Sequence, residues 1–482
     1  MTAIRTARPS AAEWLPTAGL VLHLADGSTQ TLSPERLRAH VSRLREEYRQ
    51  AVGRDDTLCL VPDGQAPFRR YLTELLAALG LPNPVVVPDG ETGAPSTAER
   101  LAALGLASHT LGHPRQPWSG SEGRAALPPS TLLLRTGGTS GRARYAVNTS
   151  MRGALGRDPR LSLASSVGLK AGLRVCLAGS VRHAATLSML LDALNQRAEI
   201  HLFEKPDPAH VLHEVRRHRV NWLLVTPLHM RMMQRQWLSD GGAPDLRTLV
   251  HMSAVCAEPV KRFWHATLGP EHVYEVFGAS EGIGTTVARG DEWEARPGTV
   301  GRGFYTSVAV LDPSGTAVAP GEAGDVYFQC GTSARPLHLG HRDSVRWSGS
   351  GYVSIGDRGR LDADGYLYLE PRSQLRITVG GTTVLATDVE DALMDVPWVR
   401  DAAAAGIPNR VTGHRVVCFV VADGQGAEDR LTGLARHLRG VLPPAAVPRR
   451  IVTVDAIPRS AAGKVNRTLL ADMVHKHFQE GQ

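Results

Sequence analysis

The strongest constraint on this chain is an alternation. Short apolar runs stand at 58–61, 84–87, 175–177, 200–203, 222–226, 248–252 and 273–277. Between them lie stretches with helical spacing, at 68–79, 96–104, 187–194, 209–218 and 228–237. Strands that take turns with helices predict a mainly parallel α/β sheet. The start of the chain differs. Runs at 21–24 and 29–32 flank Asp26 and Gly27, a hairpin signal. Ser33 then caps a helix with a Leu37, Val41 and Leu44 stripe. Met230, Met232 and Met233 are read as core packing on the 228–237 helix. From about 298 to 370, short strands with Gly turns (312–315, 362–365) predict a smaller β subdomain. From about 374 a compact α+β unit is expected, with helices at 387–395 and 428–441 and strands at 415–421 and 450–454.

Composition narrows the function classes. A chain of 482 residues, 42% of them hydrophobic, predicts more than one domain and a sizeable core. No run approaches the roughly 20 apolar residues of a membrane span. The start, MTAIRTARPSAAEW, lacks the apolar centre of a signal peptide, so a soluble, cytoplasmic protein is expected. Cys59, Cys176, Cys256, Cys330 and Cys418 are scattered and odd in number, and are expected as buried free thiols. No C-x-x-C or H-E-x-x-H marks a zinc site. The net charge of +7 comes mostly from dispersed arginines. That favours an anionic ligand and argues against nucleic acid, since no basic run is interleaved with aromatics. The lysines are only Lys170, Lys205, Lys261, Lys464 and Lys476, so each is more informative than usual.

One glycine-rich stretch carries the first chemistry. After the apolar Leu132, Leu133 and Leu134 comes TGGTSGRAR (136–144). Glycines let backbone N–H groups approach a ligand closely, and successive N–H groups make a concave anion site. Thr and Ser add hydroxyl donors, and Arg142 and Arg144 add charge. A surface turn is the plain alternative. The stretch is not a Walker loop. The Gly463–Lys464 pair is not one either, because Val465 follows it and Pro458 stands where the first glycine belongs.

Further motifs follow in order: HMSAVCAEPVK (251–261), EVFGASEG (275–282), EWEARPGTVGR (292–302), GEAGDVYF (321–328), GDRGRLDADGYLYLEPR (356–372), TDVEDAL (387–393) and PRSAAGKVNRTLL (458–470). Together with the glycine stretch they resemble the adenylate-forming superfamily of acyl- and aryl-CoA ligases, peptide-synthetase adenylation domains and luciferases, most nearly the acid–CoA ligases. The resemblance runs from about 20 to 472. It implies a large N-terminal domain, 1–373, and a smaller mobile C-terminal domain, 374–482.

The resemblance also implies roles. Adenylation joins a carboxylate to the α-phosphate of ATP and expels pyrophosphate, so two anions must meet and their repulsion be neutralised. Thr136, Gly138, Thr139, Ser140, Gly141 and Arg144 would cradle the phosphates. Ser280 would hydrogen-bond the α-phosphate, and Glu281 would hold Mg²⁺, a cation bound by few protein carboxylates. Ser253, Ala254 and Val255 would border the adenine, with Phe277 and Gly278 beside it. Asp357 would accept from the ribose hydroxyls, with Arg372 nearby. Lys464 would reach both the substrate carboxylate and the α-phosphate. His183 would line the acyl pocket or acceptor tunnel, although a lone histidine also reads as structural. The pocket walls, from around His183, 226–232 and 277–284, allow a fatty, aryl or polycyclic acid.

The chain departs from the superfamily's pattern at several positions. Arg144 stands for lysine, Ala143 for proline, Gly137 for serine and Phe277 for tyrosine. The hinge position falls at Gln374, and Thr382 replaces the glutamate after Gly380 and Gly381. The expected function is ATP-dependent activation of a carboxylic acid and transfer to CoA. The alternative keeps the adenylate and changes the acceptor: an amine, a carrier-protein thiol, or an aryl amine when the activated acid is nitrite, in a specialised biosynthetic pathway. A catalytically inactive nucleotide-binding homologue is the third reading.

Overall fold

The computed structural model describes residues 15–53, 56–60, 67–87, 101, 106, 108–111, 127–136, 144–155, 157–329, 338–339, 345–423, 427–459 and 463–478. By internal contacts the chain divides into two compact units, with the division between Tyr368 and Leu369.

The first unit carries the expected α/β sheet. Among the described residues nine strands form its larger sheet. Six consecutive members run parallel: Leu20–His23, Glu199–Phe203, Arg174–Leu177, Trp222–Val225, Thr248–Met252 and Val273–Gly278. These runs are Val- and Leu-rich and almost wholly buried, as strands covered on both faces must be. Polar residues start the intervening helices. Asp207 accepts from the backbone N–H of Ala209 and His210 ahead of the helix Pro208–Arg217. Thr226 accepts from His229 N–H ahead of Pro227–Asp240.

The early hairpin forms as expected, with Leu20 opposite Leu32 and Gly27 at φ +82°. Ser33 accepts from Arg36 N–H and starts the helix Pro34–Ala51. The hairpin is not an appendage, however. Leu20–His23 pairs in parallel with Glu199–Phe203, nearly 180 residues on. A second sheet holds the strand Leu132–Thr136, paired antiparallel with Arg144–Asn148 so that Thr136 faces Arg144. The glycine-rich stretch therefore joins two hairpin strands. The expected helix at 96–104 and Cys330 lie outside the described residues, apart from Leu101. Cys59, Cys176, Cys256 and Cys418 are buried and outside any disulfide.

A third sheet, built on Gly324–Gln329, is the expected β subdomain. It is tied to 292–302 by several contacts. Tyr366 donates its hydroxyl to Glu292 at 2.9 Å, Arg296 pairs with Asp364 at 2.7 Å, and Thr299 donates to the Leu367 carbonyl at 3.0 Å.

The second unit is α+β. Arg376–Val379 and Thr382–Leu385 form a hairpin whose two loop residues, Gly380 and Gly381, both have positive φ, as a tight primed turn requires. Helices Ala386–Met394, Ala427–Val441 and Arg467–Phe478 accompany this sheet. Its longest strand, Val399–Asn409, has no counterpart in the sequence reading. Four consecutive alanines, then Gly406 and Pro408, carry no β signal. Pairing with Gly413–Ala422 over ten registered positions imposes the strand.

Candidate active site

Several candidate residues gather at one edge of the large sheet. The parallel strands Arg174–Leu177, Trp222–Val225, Thr248–Met252 and Val273–Gly278 are neighbours. Each candidate follows one of their carboxyl ends. His183 stands at the start of the helix Ala184–Asn195. Ser253, Ala254 and Val255 leave the next-but-one strand, with Ser253 at φ +81° and Val255 exposed. Phe277 and Gly278 end the last strand, and Ser280 and Glu281 follow in the turn. Open α/β sheets bind ligands outside the carboxyl ends of their strands.

The 279–282 turn is held from two sides. Asn148, fully buried, donates its side-chain amide to the Ser280 carbonyl at 2.8 Å. Its side-chain oxygen accepts from Met151 N–H at 2.9 Å. Gly282 closes the turn at φ +67°. A Cβ there would come within 2.5 Å of Ser150 Oγ and 2.7 Å of Asn148 Nδ2, so the close approach needs glycine. Glu281 is buried, and its Oε1 accepts from His338 Nε2 at 2.5 Å. His338 lies on a short strand paired with Arg144–Asn148, opposite Ala146. The sequence reading missed Asn148 and His338. Neither belongs to a motif, and each reaches the turn only through sheet pairing.

Phe328 links this turn to the β subdomain. Its ring centroid is 6.2 Å from that of Phe277. Two residues earlier, Val326 N–H donates to the Asp357 carbonyl at 2.9 Å, which ties buried Asp357 to the same strand.

Lys261, the last residue of the 251–261 motif, has a structural place. Its ammonium is buried, 2.5 Å from Glu275 Oε2 and 4.9 Å from the Trp293 ring centroid. Lys261 thus joins three motifs, by an ion pair to Glu275 and a cation–π contact with Trp293. Buried His251 is held well below the ordinary histidine range, first by desolvation and then by the charge of Lys261.

Other candidates lie elsewhere. Gly138, Thr139, Ser140 and Gly141 fall outside the described residues. Thr136 and Arg144 face each other across the hairpin that flanks them. Arg372 and Lys464 belong to the second unit. Lys464 is exposed after Gly463, which has φ +74°. Arg459 shapes that turn by donating to the Gly463 carbonyl at 2.6 Å while gripping both oxygens of Asp401 at 2.6 and 2.9 Å.

At the turn, Glu281 is one buried carboxylate with a histidine donor. That suits a Mg²⁺ held mainly by phosphate and water oxygens, rather than by an all-protein cage.

Comparison with known proteins identifies the family. The profile of the AMP-binding enzymes matches residues 118–334, and that of the AMP-binding enzyme C-terminal domain matches 388–464. The mitochondrial acyl-coenzyme A synthetase ACSM2 of Rattus norvegicus is 29% identical over 56% of this chain and 49% of its own length. The chain thus spans about half the length of that relative. A sulfoacetate–CoA ligase of Cupriavidus necator is 27% identical over 85% of this chain and 76% of its own length. Among solved structures, the amide bond synthetase McbA of Marinactinospora thermotolerans superposes with a TM-score of 0.68 at 21% identity, covering 96% of this chain and 98% of that one.

Proposed function

We propose, since this chain belongs to the AMP-binding, adenylate-forming superfamily, that it activates a carboxylic acid with ATP and passes the acyl group to CoA. The observation that carries the reading is the match of both superfamily profiles, in order, with Glu281 buried and hydrogen-bonded in the turn after the Phe277 strand. The curated relatives named as CoA ligases support CoA as the acceptor.

On this reading the substrate carboxylate attacks the α-phosphorus of ATP and pyrophosphate leaves. Ser280 steadies an α-phosphate oxygen. Bound Mg²⁺, held by Glu281, would offset phosphate charge. Asp357 and Arg372 hold the ribose, Ser253 to Val255 and Phe277 border the adenine, and 136–144 wraps the outer phosphates. Lys464 donates to the oxygens whose charge shifts during attack, a task for a compact ammonium. In the second step the CoA thiolate attacks the acyl carbon and AMP departs. His183, at the start of its helix, lines the acyl side. The domain boundary near 373 serves as the hinge between these steps.

A second reading keeps the adenylate and replaces CoA with an amine or a carrier-protein thiol. The observation that favours it is Thr382, exposed beside the Gly380–Gly381 turn where the resembling ligases carry glutamate.

The test is pyrophosphate release with Mg-ATP across a panel of acids, nitrite included, with products read by mass spectrometry with and without CoA. A CoA thioester is the expected product. Adenylate without thioester moves the assignment to the second reading. No pyrophosphate with any acid, together with no ATP binding by calorimetry, overturns both.

A further inference from the structure

A separate cluster of titratable side chains lies under the helix Pro208–Arg217, and the adenylation chemistry does not use it. His210, Glu214 and His218 recur every four residues, so they share one helical face. That face covers the pair of strands bearing His23 and His201, each 1% exposed. His23 and His201 point to the same side because His23 pairs with Phe203, two residues from His201.

The hydrogen bonds among these groups define a direction. The Glu199 carboxylate lies 3.0 Å from His201 Nε2, and a carboxylate accepts, so this nitrogen donates. In a neutral ring His201 Nδ1 then accepts, and His23 Nε2, 3.1 Å away, donates to it. That leaves His23 Nδ1 with a lone pair. It faces Glu214 Oε2 at 3.3 Å, and His218 Nε2 lies 3.1 Å from the same oxygen. Neither approach has hydrogen-bond alignment: Glu214 Oε2, His218 Nε2 and His210 Nε2 are all buried without a hydrogen-bond partner. The Thr29 hydroxyl lies 3.5 Å from His23 Nδ1 and Arg217 Nη1 lies 3.6 Å from Glu214 Oε1, but Glu214 Oε2 and the two imidazole nitrogens are left to be met by a proton or a cation among them. Ligands of a tetrahedral zinc ion, at roughly 2.0–2.1 Å from the metal, stand about 3.3 Å from one another. One ligand atom each from His23, His210 and Glu214 fits within a 4.8 Å span.

We infer that His23, His210 and Glu214 form a structural binding site for a divalent transition ion of the zinc class, with His218 within reach of a fourth position. Two imidazoles and a carboxylate are borderline donors that suit Zn²⁺, Co²⁺ or Ni²⁺ better than Mg²⁺ or Ca²⁺. His201 and Glu199 act behind His23, fixing its tautomer as outer partners of metal-bound histidines do. The ion would staple the first strand of the sheet to a helix nearly two hundred residues later. No H-E-x-x-H is present because the helical ligands are spaced H-x-x-x-E and the partner histidine comes from a remote strand.

The test uses full-length protein without a histidine tag, stripped with EDTA and dialysed against Zn²⁺. About one Zn²⁺ per chain is expected by elemental mass spectrometry, with a thermal midpoint raised by Zn²⁺ and visible d–d bands on Co²⁺ loading. His210→Gln and Glu214→Gln, checked for folding by circular dichroism, should lose the ion and the shift, and His218→Ala should weaken binding. Wild-type protein that retains less than about a tenth of an equivalent and is indifferent to Zn²⁺ overturns the proposal. So do variants that bind the metal as wild type does. None of these readouts depends on adenylation, so the two proposals fail separately.

Discussion

Glu281 shows how much one residue owes to its neighbours. A buried carboxylate is costly unless it is hydrogen-bonded, and His338 supplies the bond at 2.5 Å. Glu281→Gln should lower pyrophosphate release by roughly 100-fold or more while calorimetric ATP binding persists. His338→Ala should cost roughly tenfold and raise the Mg²⁺ needed for half-maximal rate. An unchanged Mg²⁺ dependence in His338→Ala would reduce that hydrogen bond to packing. Asp192 is a second case, set mainly by burial. Desolvation raises its pKa to about 6, against a partly offsetting hydrogen bond from Ala164 N–H. A carboxyl whose folded value lies above its unfolded one contributes stability at low pH and loses it as pH rises through about 6. Asp192→Asn should therefore raise the thermal midpoint at pH 7.5, by the equivalent of about 3 kcal/mol, and leave it nearly unchanged at pH 4. A shift of equal size at both values would remove titration as the cause.

At the scale of elements, the Lys261–Glu275 pair couples the helix Glu258–Leu268 to the strand Val273–Gly278. Removing one partner strands a buried charge. Glu275→Ala should cost about 3–5 kcal/mol in urea unfolding. The double replacement Lys261→Met with Glu275→Leu should cost far less, since apolar residues of similar volume substitute well for a buried pair. Equal losses in the two proteins would contradict that account. Elements also set what could be read in advance. The motif 251–261 is legible as a string. That its lysine is spent on Glu275 and Trp293 is not, because those residues enter from a neighbouring strand and a following helix.

For the whole molecule, the proposed chemistry is divided between the units. Glu281 and Asp357 lie in the first, Arg372 and Lys464 in the second. Lys464→Ala should reduce pyrophosphate release by roughly 100-fold or more yet leave conversion of a supplied acyl adenylate near wild type. Both half-reactions are measured on the same preparation, and equal loss of both would sink the division. The Arg459–Asp401 grip that shapes the Lys464 turn is a long-range contact. Motif order points to the lysine as a candidate, but not to what holds its loop.

The sequence alone determined the α/β class, the β subdomain, the α+β unit and the superfamily. Strand–helix alternation, turn residues and ordered motifs are local, and local patterns survive in a string. It also carried the candidate residues that sit inside motifs, such as Ser280, Glu281 and Lys464, to which the proposed chemistry is assigned. Only the tertiary structure decided the rest. Four alanines became the centre of the longest strand in the second unit because a partner strand offered its hydrogen bonds. His338 met Glu281, Asn148 met Ser280, and His23 met Glu214, across 57, 132 and nearly 200 residues. Contacts of that separation depend on sheet order and register, and no local spacing encodes them.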